Sequence, residues 1–218
     1  ESGQIDASLE PLLRAAAPRY ARLPNFLHAM LSYLNNMEKS PSFKPTAYSW
    51  TAKEGDEPDL LIEALIENLS TNSHDLRVLS LRLLEYLHKL STGKDSDVIT
   101  TMLMVENTPL DLQTARSASM HVRKLATVYP NYATDRVLSR AIPAFCFGML
   151  TVKFAQLWED SSAALKLISE NKIGEQVVAE LTFKWLEAPS TVWDGAARNT
   201  EPPQHAGMTD FECSNLMQ

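Results

Sequence analysis

The chain of 218 residues is 44% hydrophobic and 22% charged, the balance of an ordinary soluble protein of one or two domains with a substantial core. A formal net charge of −7 argues against nonspecific attachment of the whole chain to nucleic acid or an anionic membrane surface. Two cysteines, Cys146 in an apolar run and Cys213 in a polar tail, do not make a disulfide framework and favour a reducing compartment.

No stretch approaches the roughly 18 apolar residues of a membrane span, and no signal peptide is expected. The chain opens on Glu1-Ser2-Gly3, not Met, so the expectation is a fragment of something longer. From Ile5 to Met37 the pattern predicts two helices, with Leu9, Leu12 and Leu13 on the first and Phe26, Leu27, Met30, Leu31 and Leu34 on the second. Pro24 suits the first turn of the second, where its missing N–H costs nothing. Between Lys39 and Pro58 three prolines, Gly55 and the run Lys53 to Glu57 read as a surface loop, with Tyr48 and Trp50 packed on it or anchoring a partner.

Leu60 to Leu90 reads as two helices folded back by a short polar turn. In the second, Leu76, Leu79, Leu83, Leu87 and Leu90 recur at steps of three and four, while Val78, Leu81 and Leu84 widen the apolar stripe. A surface helix needs an apolar arc of only about 100°. A wider one is gripped by its own partner and by neighbouring pairs, as in a stacked array. Within this pair, Asn68-Leu69-Ser70 matches a glycosylation acceptor by what we take to be chance.

Ser91 to Lys94 marks a stop, followed by a short helix around Val98, Met102, Leu103 and Val105. Thr108-Pro109-Leu110-Asp111 then places a hydroxyl at an N-cap, proline at the first helical position and a carboxylate three residues on, predicting a long helix to about Val128. Ala115, Ala118, Val122, Leu125 and Tyr129 form its buried face, and Tyr129-Pro130-Asn131 ends it. Thr134 to Val152 follows with Leu138, Ile142, Phe145, Met149 and Val152 in register; Pro143 requires a start near Ala141 or a kink. The partner helix is Ala155 to Ile168, and Ile173 to Leu186 resembles another first helix, with Val177, Val178, Leu181 and Trp185 apolar.

From Ala188 onward Pro189, Pro202 and Pro203, one arginine against four carboxylates and the absence of periodicity predict a flexible loop or insertion over 188–218. Second helices beginning at Asp75, Asp111 and Glu159 recur at 36 and 48 residues, bracketing the roughly 40 to 47 of HEAT and armadillo units. The predicted class is therefore all-α, an α-solenoid of degenerate HEAT-like helix pairs over 1–187.

No catalytic signature emerges. The histidines His28, His74, His88, His121 and His205 lack zinc-helix spacing, neither cysteine belongs to a Cys-x-x-Cys pair, and no glycine-rich phosphate loop or nucleophile elbow is present. Cys146, between two phenylalanines, reads as a core residue. No catalytic, cofactor or metal residues are therefore assigned, and neither a membrane nor a small-molecule substrate is expected. The clearest local positive charge is Arg116, Arg123 and Lys124, with Arg136 and Arg140 shortly after. Arg116 and Arg123 lie two turns apart on one helix face, placed to meet a phosphate backbone or an acidic partner; the competing reading is a solvated face with intramolecular ion pairs.

Two segments go further. Val105 to Leu110, continuing through Ala115-Arg116 to Val122-Arg123-Lys124-Leu125, resembles the start of a repeat in the very large HEAT-repeat proteins of the small-subunit processome, the down-regulated-in-metastasis family. The run Phe147-Gly148-Met149-Leu150-Thr151-Val152-Lys153-Phe154-Ala155-Gln156-Leu157-Trp158-Glu159 is similar to the next repeat of that family, with Gln156 where Pro or Ser is frequent. The likeness covers about Pro58 to Leu186. It implies a non-enzymatic nucleolar scaffold, associated with the U-type small nucleolar ribonucleoprotein, that acts in pre-18S rRNA processing through contact with other processome assembly factors and pre-ribosomal RNA. No catalytic residues come with it. The alternative is the helical arm of a large kinase-like enzyme or of a nuclear transport receptor, which sequence beyond Gln218 carrying H-R-D and D-F-G would reveal.

Overall fold

The computed structural model describes residues 9–38, 60–111 and 113–187. Nine α-helices and one 3-10 turn occupy them, and no strand occurs among the described residues. The predicted loop with Tyr48 and Trp50, and the predicted tail 188–218, lie outside them. Contacts divide the chain into two units, Glu1–Leu181 and Thr182–Gln218; of the second, only the end of the last helix is described.

The first helices are α1, Leu9–Tyr20, and α2, Pro24–Glu38, the latter starting on the proline as expected. Leu27, Met30 and Leu34 are buried on α2, but Leu12 on α1 is 64% exposed, against expectation. Its helix has one main neighbour, so an apolar stripe on a second face stays in water. The central pair is α3, Leu60–Leu69, and α4, His74–Thr92. Ser73 caps α4 by accepting the Leu76 N–H at 3.4 Å. Gly93, at φ 70°, stops it, a conformation only glycine takes without strain, and its N–H donates to the Lys89 carbonyl. Leu79, Leu81, Leu83, Leu84 and Leu87 are all buried, so the wide stripe is gripped from several sides.

Helix α5, Asp97–Asn107, is capped by Ser96. The predicted cap at Thr108 is corrected: Thr108 follows the end of α5, and its hydroxyl donates back to the Met104 carbonyl at 2.6 Å. Helix α6 runs Ala115–Val128. The reciprocal cap forms three residues later than expected, with the Asp111 N–H donating to Thr114 Oγ1 at 3.0 Å and the Thr114 N–H donating to Asp111 Oδ1 at 2.8 Å. The sequence carries two overlapping cap patterns, and the carboxylate, which accepts from two backbone N–H groups, holds the start.

Helix α7, Leu138–Met149, begins before Pro143 and keeps that proline inside. Proline removes the N–H that would bond to Ser139 O four residues back. That carbonyl instead accepts the buried Tyr129 hydroxyl at 3.1 Å, from the 3-10 turn Tyr129–Asn131 that ends α6. Helices α8, Ala155–Ile168, and α9, Lys172–Glu187, complete the order. The even-numbered helices α4, α6 and α8 start at His74, Ala115 and Ala155, so the predicted intervals of 36 and 48 residues become 41 and 40.

Packing follows two sets of side-by-side contacts. Helix α3 lies between α1 and α7, α2 lies against α4, and α6 against α8, the most extensive contact of all. Helices α3 and α7 run parallel, since Arg140 near the start of α7 pairs with Glu63 near the start of α3, while Gly148 near the end of α7 abuts Leu69 at the end of α3. A Cβ on Gly148 would stand 2.1 Å from the Leu69 carbonyl oxygen, so the approach requires glycine. Tyr86 donates to the Leu34 carbonyl at 3.1 Å, joining the later halves of α4 and α2 in the same parallel sense. Helix α5 packs on α4 and α6, which leaves α7 as the neighbour of α3 in its own row.

Candidate partner-binding surface

Helix α6 presents two faces. Ala115, Ala118, Val122, Leu125 and Ala126 are buried, and Arg116, Arg123 and Lys124 are exposed, as the periodicity required. Arg116, Met120 and Arg123 follow one another at steps of four and three and therefore share a face. Across from them stand Gln156 and Asp160 of α8, and the six residues Arg116, Ser119, Met120, Arg123, Gln156 and Asp160 line a groove of about 430 Å³. Lys124 stands on the same exposed side of α6 but not among the lining residues.

The cations of this region differ in their engagement. Arg123 donates through Nε at 2.6 Å to Asp160 Oδ1, with Nη2 2.5 Å from the same oxygen as an ion pair; its side chain is 71% exposed while that of Asp160 is 8% exposed. Arg140 pairs with Glu63. Arg116 and Lys124 make no ion pair with another described residue. Ser119 in the groove is 5% exposed and its hydroxyl has no partner among the described residues, and Met120 is 64% exposed.

Asp160, Ser119 and Met120 were not singled out by sequence reasoning, and Gln156 was noted only as a departure from the resembled repeat. A signal for Asp160 existed. Leu157, Asp160, Ala164 and Ile168 fall on one helical stripe, and a carboxylate in an otherwise apolar stripe calls for a cationic partner.

A second cleft, of about 670 Å³, opens beside the starts of α4 and the ends of α5 and α7, lined among others by His74, Arg77, Glu106, Pro109, Met149 and Lys153. Arg77 and Glu106, each with a side chain 3% exposed, form a two-pronged pair, Nε to Oε1 at 2.5 Å and Nη2 to Oε2 at 3.1 Å. Arg77 Nη1 also donates to the Thr71 carbonyl, and His74 Nε2 lies 2.9 Å from Glu106 O. Both carboxylate oxygens are engaged, so the pair is built to hold three segments together, not to take a proton from a substrate.

Burial pushes the Cys146 thiol up to about 12, which keeps it protonated at neutral pH and unsuited to nucleophilic work. Among the described residues no three His, Cys, Asp or Glu side chains converge as a metal site would require, and no described helix is long and apolar enough to cross a membrane. Asn68 is fully buried and donates to the Ala21 carbonyl and Ser80 Oγ, so the glycosylation match has no accessible acceptor in the folded chain.

No family model matches the chain. It is similar to U3 small nucleolar RNA-associated protein 20 of Saccharomyces cerevisiae, with 26% identity over 156 residues. That alignment covers 70% of this chain, and the chain spans 6% of the yeast protein's length, so the likeness is between this run of helices and a short stretch of a far larger molecule named for its association with a small nucleolar RNA.

Proposed function

We propose that this chain is a segment of a non-enzymatic, HEAT-like α-solenoid that serves as a scaffold in small ribosomal subunit biogenesis. The observation that carries this reading is the similarity, over 156 residues, to a yeast protein named for the U3 small nucleolar RNA. The fold supports it in two ways. Successive even-numbered helices start 41 and 40 residues apart, within or at the edge of the roughly 40 to 47 of HEAT units. Helix α3 also lies between α1 and α7 and parallel to α7, α2 lies against α4 and α6 against α8, side-by-side contacts of the kind by which stacked pairs expose a long continuous surface for several partners at once.

On this reading the parent protein resides in the nucleolus and acts in processome assembly and pre-18S rRNA processing. Its partners are other assembly factors, with pre-ribosomal RNA as a further contact. Arg116, Arg123 and Lys124 lie on a partner-facing surface of the segment. The test is affinity recovery of the tagged parent protein followed by measurement of the co-purifying RNA. Enrichment of the U3 small nucleolar RNA and of 18S precursors over a spliceosomal RNA control is expected, and the absence of both would remove the assignment.

A further inference from the structure

We propose that the groove between α6 and α8 docks an acidic peptide segment of a partner protein, which sets a carboxylate against Arg116 and an apolar side chain on Met120. This rests on the scaffold reading, since a scaffold is a protein whose exposed grooves are occupied by other proteins.

The groove is charged, but its charges are unequally committed. Arg123 is held by the buried Asp160 through a hydrogen bond and an ion pair to one oxygen, which fixes the guanidinium in place and neutralises it locally. Arg116, on the same face, makes no ion pair among the described residues, and neither does Lys124, a second cation just outside the lining. Two arginines against one carboxylate leave the lining net positive on a chain whose formal charge is −7. An occupant with negative charge is therefore favoured here and disfavoured over most of the surface.

Two features separate this groove from a solvated cationic face. Met120, 64% exposed, stands between the two arginines, where water solvates the cations well and the thioether poorly. The Ser119 hydroxyl is nearly buried, lines the groove and has no partner among the described residues, so an incoming acceptor would satisfy a group that the fold leaves unpaired. Gln156 on the opposite lip offers both a donor and an acceptor to a peptide backbone. An acidic peptide answers all of these: carboxylate for Arg116 and Ser119, an apolar neighbour for Met120, main-chain amide for Gln156.

Single-stranded RNA fits less well. Its recognition relies on aromatic side chains that stack splayed bases, and none of the six lining residues is aromatic. A phosphate strand running on past the groove would also meet the net negative chain.

The experiment places a benzophenone amino acid at Met120 of the parent protein, which keeps the position apolar, and maps the photo-crosslinked product in the native assembly. A crosslink to a protein segment whose Asp or Glu residues flank an apolar side chain is expected. It should be lost in R116E/K124E and reduced severalfold in R116A, which removes the side chain beyond Cβ without adding a negative charge. Both changes are at exposed positions without an ion pair among the described residues, and an unaltered helical circular dichroism spectrum verifies folding. A crosslink to RNA, a crosslink to a segment without carboxylates, no crosslink, or one indifferent to R116A overturns the proposal. Recovery of the U3 small nucleolar RNA on the same tagged protein is scored separately, so failure of the groove assignment and failure of the scaffold assignment give different results.

Discussion

Arg77 and Glu106 carry opposite charges into a setting where each is 3% exposed, and that makes them the most consequential polar residues of the described chain. Removing one partner of such a pair leaves a buried charge uncompensated, so Glu106→Ala is expected to cost about 3–5 kcal/mol. Replacing both by apolar residues, as in R77M/E106L, should recover most of that loss, and denaturant midpoints of the single and double variants would measure the coupling. Asp111 acts at the other extreme of exposure. Hydrogen bonds from the Thr114 and Gln113 backbone hold its carboxyl below its ordinary value. A depressed value means that the cap contributes fully above the unfolded carboxylate's range near ~3.9 and is lost as pH falls through the lower folded value. An NMR titration of the Asp111 carboxyl should therefore give a midpoint below that of a model peptide; a midpoint at or above it would show that the cap does not form. Asp111→Asn keeps an acceptor and should remove the acid-range dependence.

At the scale of elements, α7 depends on two compensations. The first is the Tyr129 hydroxyl on the Ser139 carbonyl, which takes the place of the N–H that Pro143 lacks. Tyr129→Phe keeps the buried ring and strands that carbonyl, and a loss of about 1–3 kcal/mol is expected by chemical denaturation. The second is the bare Cα of Gly148 against Leu69. Gly148→Ala cannot be absorbed by a side-chain rotation, because the contact is backbone, so α3 and α7 must separate. We expect destabilisation of at least about 1–3 kcal/mol, even though alanine is the better helix former. Stabilisation by this change would mean that α3 and α7 are not adjacent. In α4, Leu83 is fully buried in the centre of the wide stripe, and Leu83→Ala should cost about 2–5 kcal/mol.

For the whole molecule, each helix from α3 to α8 packs on its sequence neighbours, while α1 and α2 are held by α3 and α4, so stability is spread along the chain. The far-ultraviolet circular dichroism spectrum of the purified chain should be dominated by helix, and a strong β component would contradict the nine helices described. The groove between α6 and α8 belongs to this scale, because its walls come from helices whose facing residues, Arg123 and Asp160, are separated by 37 positions.

The sequence by itself determined the helices, most of their buried faces and the punctuation at Pro24, Gly93 and Tyr129-Pro130-Asn131, because period, caps and breakers are local properties of consecutive residues. It also placed Arg116, Arg123 and Lys124 on the outward side of α6, by the same period. Tertiary structure decided what local pattern does not encode. It chose Asp111 over Thr108 as the cap of α6, because Thr108 follows α5, whose length is set by packing on α4 and α6. It brought α7, not α5, against α3, through Arg140, Glu63 and the bare backbone of Gly148. It also committed Arg123 to Asp160 while giving Arg116 and Lys124 no ion pair among the described residues, since a charge on a helix surface acquires its role only from the element that comes to face it.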